Sequence, residues 1–385
     1  MTNQDSILDK IIESQEKQQA ASFSPNGVIN NLFKNLSSKE SDILSRRFGL
    51  LGKNKETLEQ IGKHYDITRE RIRQIETATI KKLKDLRDFR KQIEDAEVNI
   101  SHLLENYGGV MEENFMLQKI NETSIDQENT ETAKFLLTKL LNDKIEQIKA
   151  DSHLLSGYKL PIVSIDSVRE AVKELVDIIA QESKLLRIED LLTNFKNREF
   201  YQANKDFLVS SKLGAEEKKL EEEINSIIDS YLRIAKNVDQ NILGEWGLNK
   251  WNEVKPKRMS DKVYLVLRKH GKPLHFTEIT DLINQVNFDK KTAYPATIHN
   301  ELILDKRYVL VGRGIYALKD WGYQEGTVMD TIVAILKKKG TPLTKEEIVQ
   351  AVLEQRIVKK STIYLALTNK DKITKLPDGK YTLTQ

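Results

Sequence analysis

The chain contains no cysteine, and this absence excludes several kinds of protein. None of its 385 residues can form a disulfide, ligate a metal as a thiolate or act as a thiol nucleophile. An apolar run long enough to span a membrane is also missing, and the amino-terminal MTNQDSILDK is polar with no apolar stretch behind it. These absences predict a soluble cytoplasmic protein that makes no membrane contact.

The motifs that carry enzyme chemistry are missing as well. We find no glycine-rich phosphate loop, no nucleophile motif and no His/Asp/Glu cluster with the spacing of metal ligands. The Gly-x-Gly at Gly312 and Gly314 is not followed by a helical pattern, so it indicates a hairpin turn rather than a nucleotide site. The sequence therefore predicts a protein that is not an enzyme, with no cofactor, no metal and no small-molecule substrate.

The distribution of charge is more informative than its total. The chain carries 61 Lys+Arg and 58 Asp+Glu, a net charge of only +3. The segment from Lys34 to Lys91 alone holds 16 Lys+Arg and 9 Asp+Glu, a net charge of +7. A positive field concentrated on one segment is typical of a module that contacts nucleic acid.

That segment contains the pattern of a helix-turn-helix, TLEQIGKHYDITRERIRQIETATIKKL. Thr57 is a good N-cap for the first helix, and Gln60 stands where its capping-box partner belongs. The residues Tyr65 to Ile67 form a short turn. Thr68 then caps a second helix, in which isoleucines recur at helical spacing at Ile72, Ile75 and Ile80.

The second helix has the residue types that recognise base edges on the face opposite its isoleucines. Arg69, Glu70, Arg73 and Gln74 occupy its first two turns. Arginine binds guanine, glutamate accepts a hydrogen bond from the cytosine amino group, and glutamine binds adenine. Recognition helices use their amino-terminal residues in this way. The alternative is a solvent-exposed helix with surface ion pairs, since Glu and Arg are common on any exposed face.

Residues 34–88, with LSSKESDILSRRFGL and TRERIRQIE, resemble region 4 of bacterial primary sigma factors, which recognises the promoter −35 element. The resemblance implies base contacts by Arg69, Glu70 and Gln74. It implies phosphate contacts by Lys39, Thr57, Thr68, Arg71 and Arg73. Ala78 stands where the family often has Lys, so one backbone contact is expected to be missing. Nothing in the chain matches the sigma regions that melt the −10 element and bind the polymerase clamp, so a complete sigma factor is not expected.

The helix that precedes the helix-turn-helix has an apolar stripe with two interpretations. Ser37 and Glu40 form a predicted capping box, and the stripe consists of Ile43, Leu44 and Phe48. Such a stripe packs on the helix-turn-helix. The resemblance also implies that part of this surface docks on the flap of the β subunit of core RNA polymerase. The recognition helix itself is expected to continue to Phe89. The segment that follows, to about Ile100, is expected to be a solvent-exposed linker helix.

Beyond Asn99 one order of elements recurs: an apolar helix, a short strand, two helices and a hairpin, which is the order of a winged helix. The predicted fold class is mainly α, a helix-turn-helix module followed by tandem α+β winged-helix domains. The predicted organisation is a flexible lead at 1–30, the helix-turn-helix at 31–95, and winged helices at 96–162, 163–254, 257–323 and 327–385. A charge-dense insertion, Lys205 to Glu223, is expected to be an exposed helix or loop.

The third winged helix, with Gly271-Lys-Pro-Leu274 and Arg307 to Leu318, resembles the HARE type, and the last is a looser relative. That domain occurs at the amino end of the RNA polymerase delta subunit and in proteins that act on DNA. From Lys257 to Tyr323 there are 12 Lys+Arg and 7 Asp+Glu, which favours phosphate contact over protein docking. Arg307 and Arg313 are placed at the wing. The candidate DNA contacts of the winged helices are Lys290, Lys291, Arg307, Arg313, Lys359 and Lys360.

These observations predict a sequence-specific DNA-binding protein of bacterial transcription. It would recognise a −35-like element and modulate initiation, with double-stranded DNA and core RNA polymerase as partners. One alternative is a delta-like accessory subunit that acts mainly through protein contacts. The other is the DNA-targeting component of a modification or restriction system.

Overall fold

The computed structural model describes residues 24–123, 130–208 and 217–384, and within them the chain is mainly helical with small sheets. It divides into two compact units, Met1–Asp239 and Gln240–Gln385. The predicted fold class is confirmed: a helix-turn-helix module is followed by winged-helix arrangements of helices and short strands. Within the described ranges, no helix is both long enough and apolar enough to cross a membrane.

The first unit begins with four helices that build the helix-turn-helix module. Each begins at a Ser or Thr whose hydroxyl accepts a backbone N–H of the first turn, the local signal that the sequence predicted. The helices are α1 (Pro25–Phe33), α2 (Ser38–Phe48), α3 (Leu58–Tyr65) and α4 (Arg69–Lys84).

Helix α1 corrects the expectation of a flexible lead up to residue 30. Ser24 Oγ accepts the amide of Gly27 at 2.8 Å, and Pro25 occupies the first turn, where its missing N–H is not needed. Ile29 and Leu32 on this helix are fully buried. The earlier part of the predicted lead, residues 1–23, lies outside the described residues.

A second correction concerns the segment after the recognition helix. Helix α4 ends at Lys84 instead of continuing to Phe89, and a new helix, α5, spans Phe89–Asn106. Its residues Ile93, Ala96 and Ile100 are almost completely buried. Helix α5 is therefore a core helix rather than a solvent-exposed linker, and its charged side chains cover only the outer face.

Helix α5 is also the first helix of a winged-helix arrangement. The further elements of this winged helix are β1 (Val110–Glu112), α6 (Glu113–Thr123), α7 (Thr130–Phe135) continued by a π-helical turn (Leu136–Leu140), β2 (Glu146–Ile148) and β3 (Gly157–Lys159). The three short strands form an antiparallel sheet in the order β1-β3-β2, with Met111 opposite Tyr158 and Gln147 opposite the same tyrosine.

The helix-turn-helix module and this winged helix share one hydrophobic core. The Phe135 ring lies 4.8 Å from the Phe48 ring and 6.5 Å from the Phe33 ring, between centroids. Polar contacts cross the same boundary: Thr132 Oγ1 donates to Asn26 Oδ1 at 2.9 Å, and Lys84 Nζ donates to Asn142 Oδ1 at 2.6 Å. The core therefore continues across residue 95, where a domain boundary was expected.

The remainder of the first unit packs on the first winged helix through its last helix. The Ser230 hydroxyl donates to the Val110 carbonyl, and the Tyr231 hydroxyl donates to the Gly108 carbonyl at 3.3 Å. Of the predicted insertion 205–223, residues 209–216 lie outside the described ranges. The elements are α8 (Ile165–Glu182), α9 (Ile188–Lys196), α10 (Glu199–Leu208), α11 (Glu217–Ile234) and β4 (Val238–Gln240).

The second unit contains two consecutive winged helices after the short strand β5 (Trp246–Leu248). The elements of the first are α12 (Met259–His270), β6 (Leu274–His275), α13 (Phe276–Val286), α14 (Pro295–Leu304), β7 (Tyr308–Gly312) and β8 (Ile315–Leu318), followed by a 3-10 turn at Lys319–Trp321. Its sheet has the strand order β6-β8-β7, and its own core lies around Val263, Ile279 and Ile298.

The last winged helix has the same order. A bridge between Leu343 and Tyr381 stands in for its first strand, and Gly379 turns the hairpin with φ +86°, as expected of the Asp-Gly pair. Its elements are α15 (Val328–Lys339), α16 (Lys345–Leu353), α17 (Lys360–Ala366), β9 (Ile373–Lys375) and β10 (Tyr381–Leu383).

Arg356 joins these last two winged helices. The side chain is 5% exposed, and its guanidinium donates to Thr331 Oγ1 at 2.6 Å and to the Leu310 carbonyl at 3.3 Å. It also donates to two carbonyls of the connecting segment, those of Gln324 and Gly326. One buried side chain thus holds a strand of one winged helix, the connection and a helix of the next.

Candidate nucleic-acid interface

The recognition helix α4 is positioned by a close crossing with α3. A Cβ added at Gly62 would lie 2.6 Å from the Ile67 carbonyl oxygen, so no larger residue fits without a backbone shift. Asp66 between the helices takes the left-handed conformation with φ 52°. Ile43, Ile61 and Ile72 fill the small core between α2, α3 and α4.

A polar network fixes α2 against the same pair of helices. Asp42 Oδ2 accepts from the Tyr65 hydroxyl and from Arg46 Nε, each at 2.6 Å, and Arg46 Nη1 donates to Glu56 Oε1 at 2.8 Å. Burial and the hydrogen bond to Asp42 raise the pKa of Tyr65 to about 12. Sequence reasoning missed this network because Tyr65 and Glu56 lie 23 and 10 residues from their partners Asp42 and Arg46.

The outward face of α4 carries the predicted base-contacting residues. Arg69, Glu70 and Gln74 are exposed, as are their neighbours Arg71 and Arg73. Arg73 Nη2 and Nε donate to the two Glu70 oxygens at 2.7 and 2.9 Å, and Arg71 Nη1 donates to Gln74 Oε1 at 3.0 Å. The face therefore presents side chains that pair with one another.

A shallow depression of about 340 Å³ lies beside this face, between α4 and the start of α2. Lys39 and Arg71, two residues predicted to contact phosphate, line it together, and so does Ala78, where the family often has Lys. The Glu40 carboxylate in its wall accepts from Lys82 Nζ and from the Ser37 amide, which lowers the pKa of Glu40 to about 2. Two cations thus converge on one concave surface, while the acid there is already paired.

The two threonines predicted near phosphates are helix caps. Thr57 Oγ1 accepts the amide of Gln60 at 3.3 Å, and Thr68 Oγ1 accepts the amide of Arg71 at 3.2 Å. Both side chains are exposed at the amino-terminal ends of α3 and α4. A helix amino terminus with free N–H groups favours a phosphate, so their positions are compatible with the predicted contacts.

The winged-helix candidates fall into two groups. Lys290, Lys291, Arg313, Lys359 and Lys360 are exposed. Arg307, in contrast, was expected at the wing and lies directly before β7, at the opposite end of that strand. Its guanidinium pairs with Asp305 at 2.7 Å and with Asp261 at 3.1 Å, and these carboxylates raise its pKa.

Among the described residues, no group of three or more His, Asp or Glu side chains is arranged to hold a metal ion. An association that sequence reasoning missed is in the last winged helix. Lys345 Nζ lies 3.6 Å from the centre of the Tyr364 ring, which joins the start of α16 to the face of α17. No sequence signal marks this pair, because its members belong to different helices.

Comparison with known proteins identifies the amino-terminal module. Residues 32–85 match the family described as Sigma-70, region 4. Two RNA polymerase sigma factors named SigA, from Lactococcus lactis subsp. cremoris and from Lactococcus lactis subsp. lactis (strain IL1403), are each 45% identical over 67 residues. The matches cover 16% of this chain and 18% and 17% of the two relatives. The chain therefore spans less than a fifth of the length of these relatives.

Proposed function

We propose that this protein binds double-stranded DNA at specific sequences through α4 and acts in bacterial transcription initiation. The observation that carries the proposal is the exposed α4 face, with Arg69, Glu70 and Gln74 side by side on a segment that matches sigma region 4. Residue types that recognise guanine, cytosine and adenine edges stand at the amino-terminal end of a helix-turn-helix recognition helix. The expected target is a DNA sequence that resembles the promoter −35 element.

The phosphate contacts that accompany this recognition come from the depression beside α4. Lys39 and Arg71 bind the backbone there, and Arg73 binds a phosphate after it leaves Glu70. Thr57 and Thr68 contact phosphates at the amino-terminal ends of α3 and α4. Contacts of this type set the register of a protein on the duplex without carrying sequence information.

The proposed role is that of a region 4 module and not of a complete sigma factor, since the family match at residues 32–85 is to region 4. The stripe of Ile43, Leu44 and Phe48 offers no free surface for contact with the β flap of core polymerase. Ile43 and Leu44 are fully buried, and the Phe48 ring packs against Phe135. The delta-like accessory role, which needs a free docking surface, is therefore less well supported at this stripe. Because residues 257–323 resemble the HARE type, the accessory role and the role of a DNA-targeting component remain the two rival assignments.

The test is selection of bound duplexes from a random pool with the full chain and with an Arg69→Ala/Glu70→Ala/Gln74→Ala variant. Recovery of a TTGACA-like motif by the parent but not by the variant is the expected result. A different motif, recovered equally by both, would transfer specificity to the winged helices. No enrichment with either protein would favour the accessory role, for which binding to core polymerase is the next measurement.

A further inference from the structure

The third helix of a winged helix is the element that most directly faces a ligand. The winged helices of this chain differ in whether other elements cover the corresponding helix. In the first winged helix, α7 is buried against the helix-turn-helix module through Phe135 and Leu136. In the following segment the last helix, α11, packs on the first winged helix: Ser230 donates to the Val110 carbonyl of β1, and Tyr231 donates to the Gly108 carbonyl just before that strand's start. The side chains of α7 are mostly covered, and none is exposed in the described part of α11, residues 223–234. The candidates for ligand contact are therefore α14 and α17 in the second unit.

Helices α14 and α17 differ in chemistry. The α14 sequence PATIHNELIL contains no Lys or Arg, and its outer surface includes Ile303 and Leu304, 61% and 80% exposed. Helix α17 has exposed Lys360, Ser361 and Thr362, with exposed Lys359 directly before it. Lysines and hydroxyls of this kind donate to phosphate oxygens, whereas the α14 surface has no cation to do so.

The cations around α17 come from two helices. Lys345 lies at the start of α16, and its ammonium stacks on the Tyr364 ring of α17, which is 40% exposed. The nearby Glu347 carboxylate is occupied as the cap of α16, where it accepts the Thr344 amide at 2.7 Å. Within the described part of the chain, Lys345, Lys359 and Lys360 form no ion pair. Residues 327–384 hold 11 Lys+Arg and 6 Asp+Glu.

We propose that the last winged helix is a second nucleic-acid site, which binds the phosphate backbone of duplex DNA through Lys345, Lys359 and Lys360. Tyr364 positions the Lys345 ammonium by its ring. The site carries no base preference of its own, because its contacts are to charge rather than to base edges. It is independent of the α4 assignment, since it supplies general affinity while α4 supplies selectivity.

The experiment measures the affinity of full-length proteins for a random-sequence duplex at salt concentrations from about 50 to 200 mM. The slope of log affinity against log salt concentration becomes shallower by about 0.9 for each phosphate contact that is lost. The triple variant Lys345→Gln/Lys359→Gln/Lys360→Gln is expected to lower this slope by about 2–3 and to weaken binding at least about tenfold at the lowest salt. The charge-matched control is Lys149→Gln/Lys173→Gln/Lys250→Gln, three exposed lysines of the earlier repeats. This control variant should retain more of the parent's affinity and more of its salt slope than the Lys345/Lys359/Lys360 variant does.

A second pair of variants separates positioning from charge. Tyr364→Phe keeps the ring under Lys345 and should bind like the parent, whereas Tyr364→Ala should weaken binding without any change in charge. Parent-like affinity and slope in the lysine triple variant would overturn the proposal. Polyglutamate, an acidic polypeptide, is titrated in parallel. If the lysine triple variant lost affinity for polyglutamate and kept its affinity for DNA, the proposal would also be overturned, because the surface would then bind an acidic protein partner. Failure of the α4 assignment looks different: the selection finds no motif, yet the lysine-dependent affinity persists.

Discussion

Glu70 and Arg73 hold each other on the outer face of the recognition helix, through two contacts of 2.7 and 2.9 Å between guanidinium nitrogens and carboxylate oxygens. This pairing lowers the pKa of Glu70 and raises that of Arg73. Both side chains are more than half exposed, so the pair adds little to stability. Under the proposed function the pairing matters for binding, because each residue would have to leave the other before it contacts DNA.

Replacement of Glu70 should therefore have two opposite effects. Glu70→Ala removes the acceptor for a cytosine amino group, so preference at one base pair should relax by about 1–3 kcal/mol. The same change frees Arg73, so affinity for random duplex should stay level or rise. Competition between duplexes that differ at single positions measures both effects. An unchanged base preference would show that Glu70 does not contact a base.

Gln74 and Arg73 should separate selectivity from general affinity. Gln74→Ala should relax one position by about 1–3 kcal/mol, whereas Arg73→Ala should weaken all duplexes alike and reduce the salt slope by about 1. Titrations of one preferred and one scrambled duplex, each at several salt concentrations, distinguish these outcomes. Lys173→Ala on α8 serves as the control. If Arg73→Ala changed the base preference, its assignment to phosphate would be wrong.

Phe135 should control the stability of the helix-turn-helix although it lies outside that module. Phe135→Ala removes a ring that is 1% exposed and contacts Phe33 and Phe48, and such changes cost about 3–5 kcal/mol. Denaturant unfolding of the full chain measures the loss. Ile162→Ala, at a side chain that is 89% exposed, is the control and should change stability by less than about 0.5 kcal/mol. Equal effects of both variants would contradict a shared core.

Glu40 should make the same module sensitive to acid. Its pKa in the folded protein, about 2, lies below the ordinary value of 4.5 because of Lys82 and the Ser37 amide. The carboxylate therefore stabilises the fold above pH 4.5, and this contribution disappears as the pH falls from 4.5 towards 2. The difference in unfolding midpoint between the parent and Glu40→Gln should shrink over that range. A difference that stayed constant with pH would mean that the ionised pair is not its source.

Arg356 should couple the last two winged helices. Arg356→Lys keeps the charge but cannot reach all of the acceptors Leu310, Gln324, Gly326 and Thr331 at once. Carbonyls left without a donor should cost about 1–3 kcal/mol, and calorimetry should show the two domains unfolding less cooperatively. Arg313→Lys, at an exposed wing residue, should leave the transition unchanged. A parent-like transition in Arg356→Lys would contradict the coupling.

The local signals of this chain were readable from the sequence, and the long-range ones were not. The caps at Ser37, Thr57 and Thr68 and the Asp-Gly hairpin depend on residues within a few positions, so the spacing predicts them correctly. The burial of α1 depends on α7, whose Phe135 lies about a hundred positions beyond α1, and α5 packs against α1 and the still more distant α11. Segments that look polar and short of core partners therefore suggested a flexible lead and an exposed linker.

The candidate site shows the same division. The exposure of Arg69, Glu70 and Gln74 follows from helical periodicity around the isoleucines, so sequence predicts which side chains face outward. Arg307 was predicted wrongly as a wing residue for two reasons: its nearby partner Asp305 was overlooked, and its second partner, Asp261, lies 46 residues earlier in the chain. A basic residue in a basic segment is available to DNA only when no carboxylate from another element reaches it.

The shared core also sets an order of events during synthesis. Ile29 on α1 and Leu141 after the π-helical turn belong to the same cluster, so the core that α1 shares with the first winged helix cannot be completed until residue 141 has left the ribosome. At about 5–20 residues per second, the amino-terminal helices wait roughly 5–20 s for this partner. During that interval the apolar faces of α1 and α2 stay uncovered, and the nascent chain has a window in which chaperones, or a second nascent copy, compete for them.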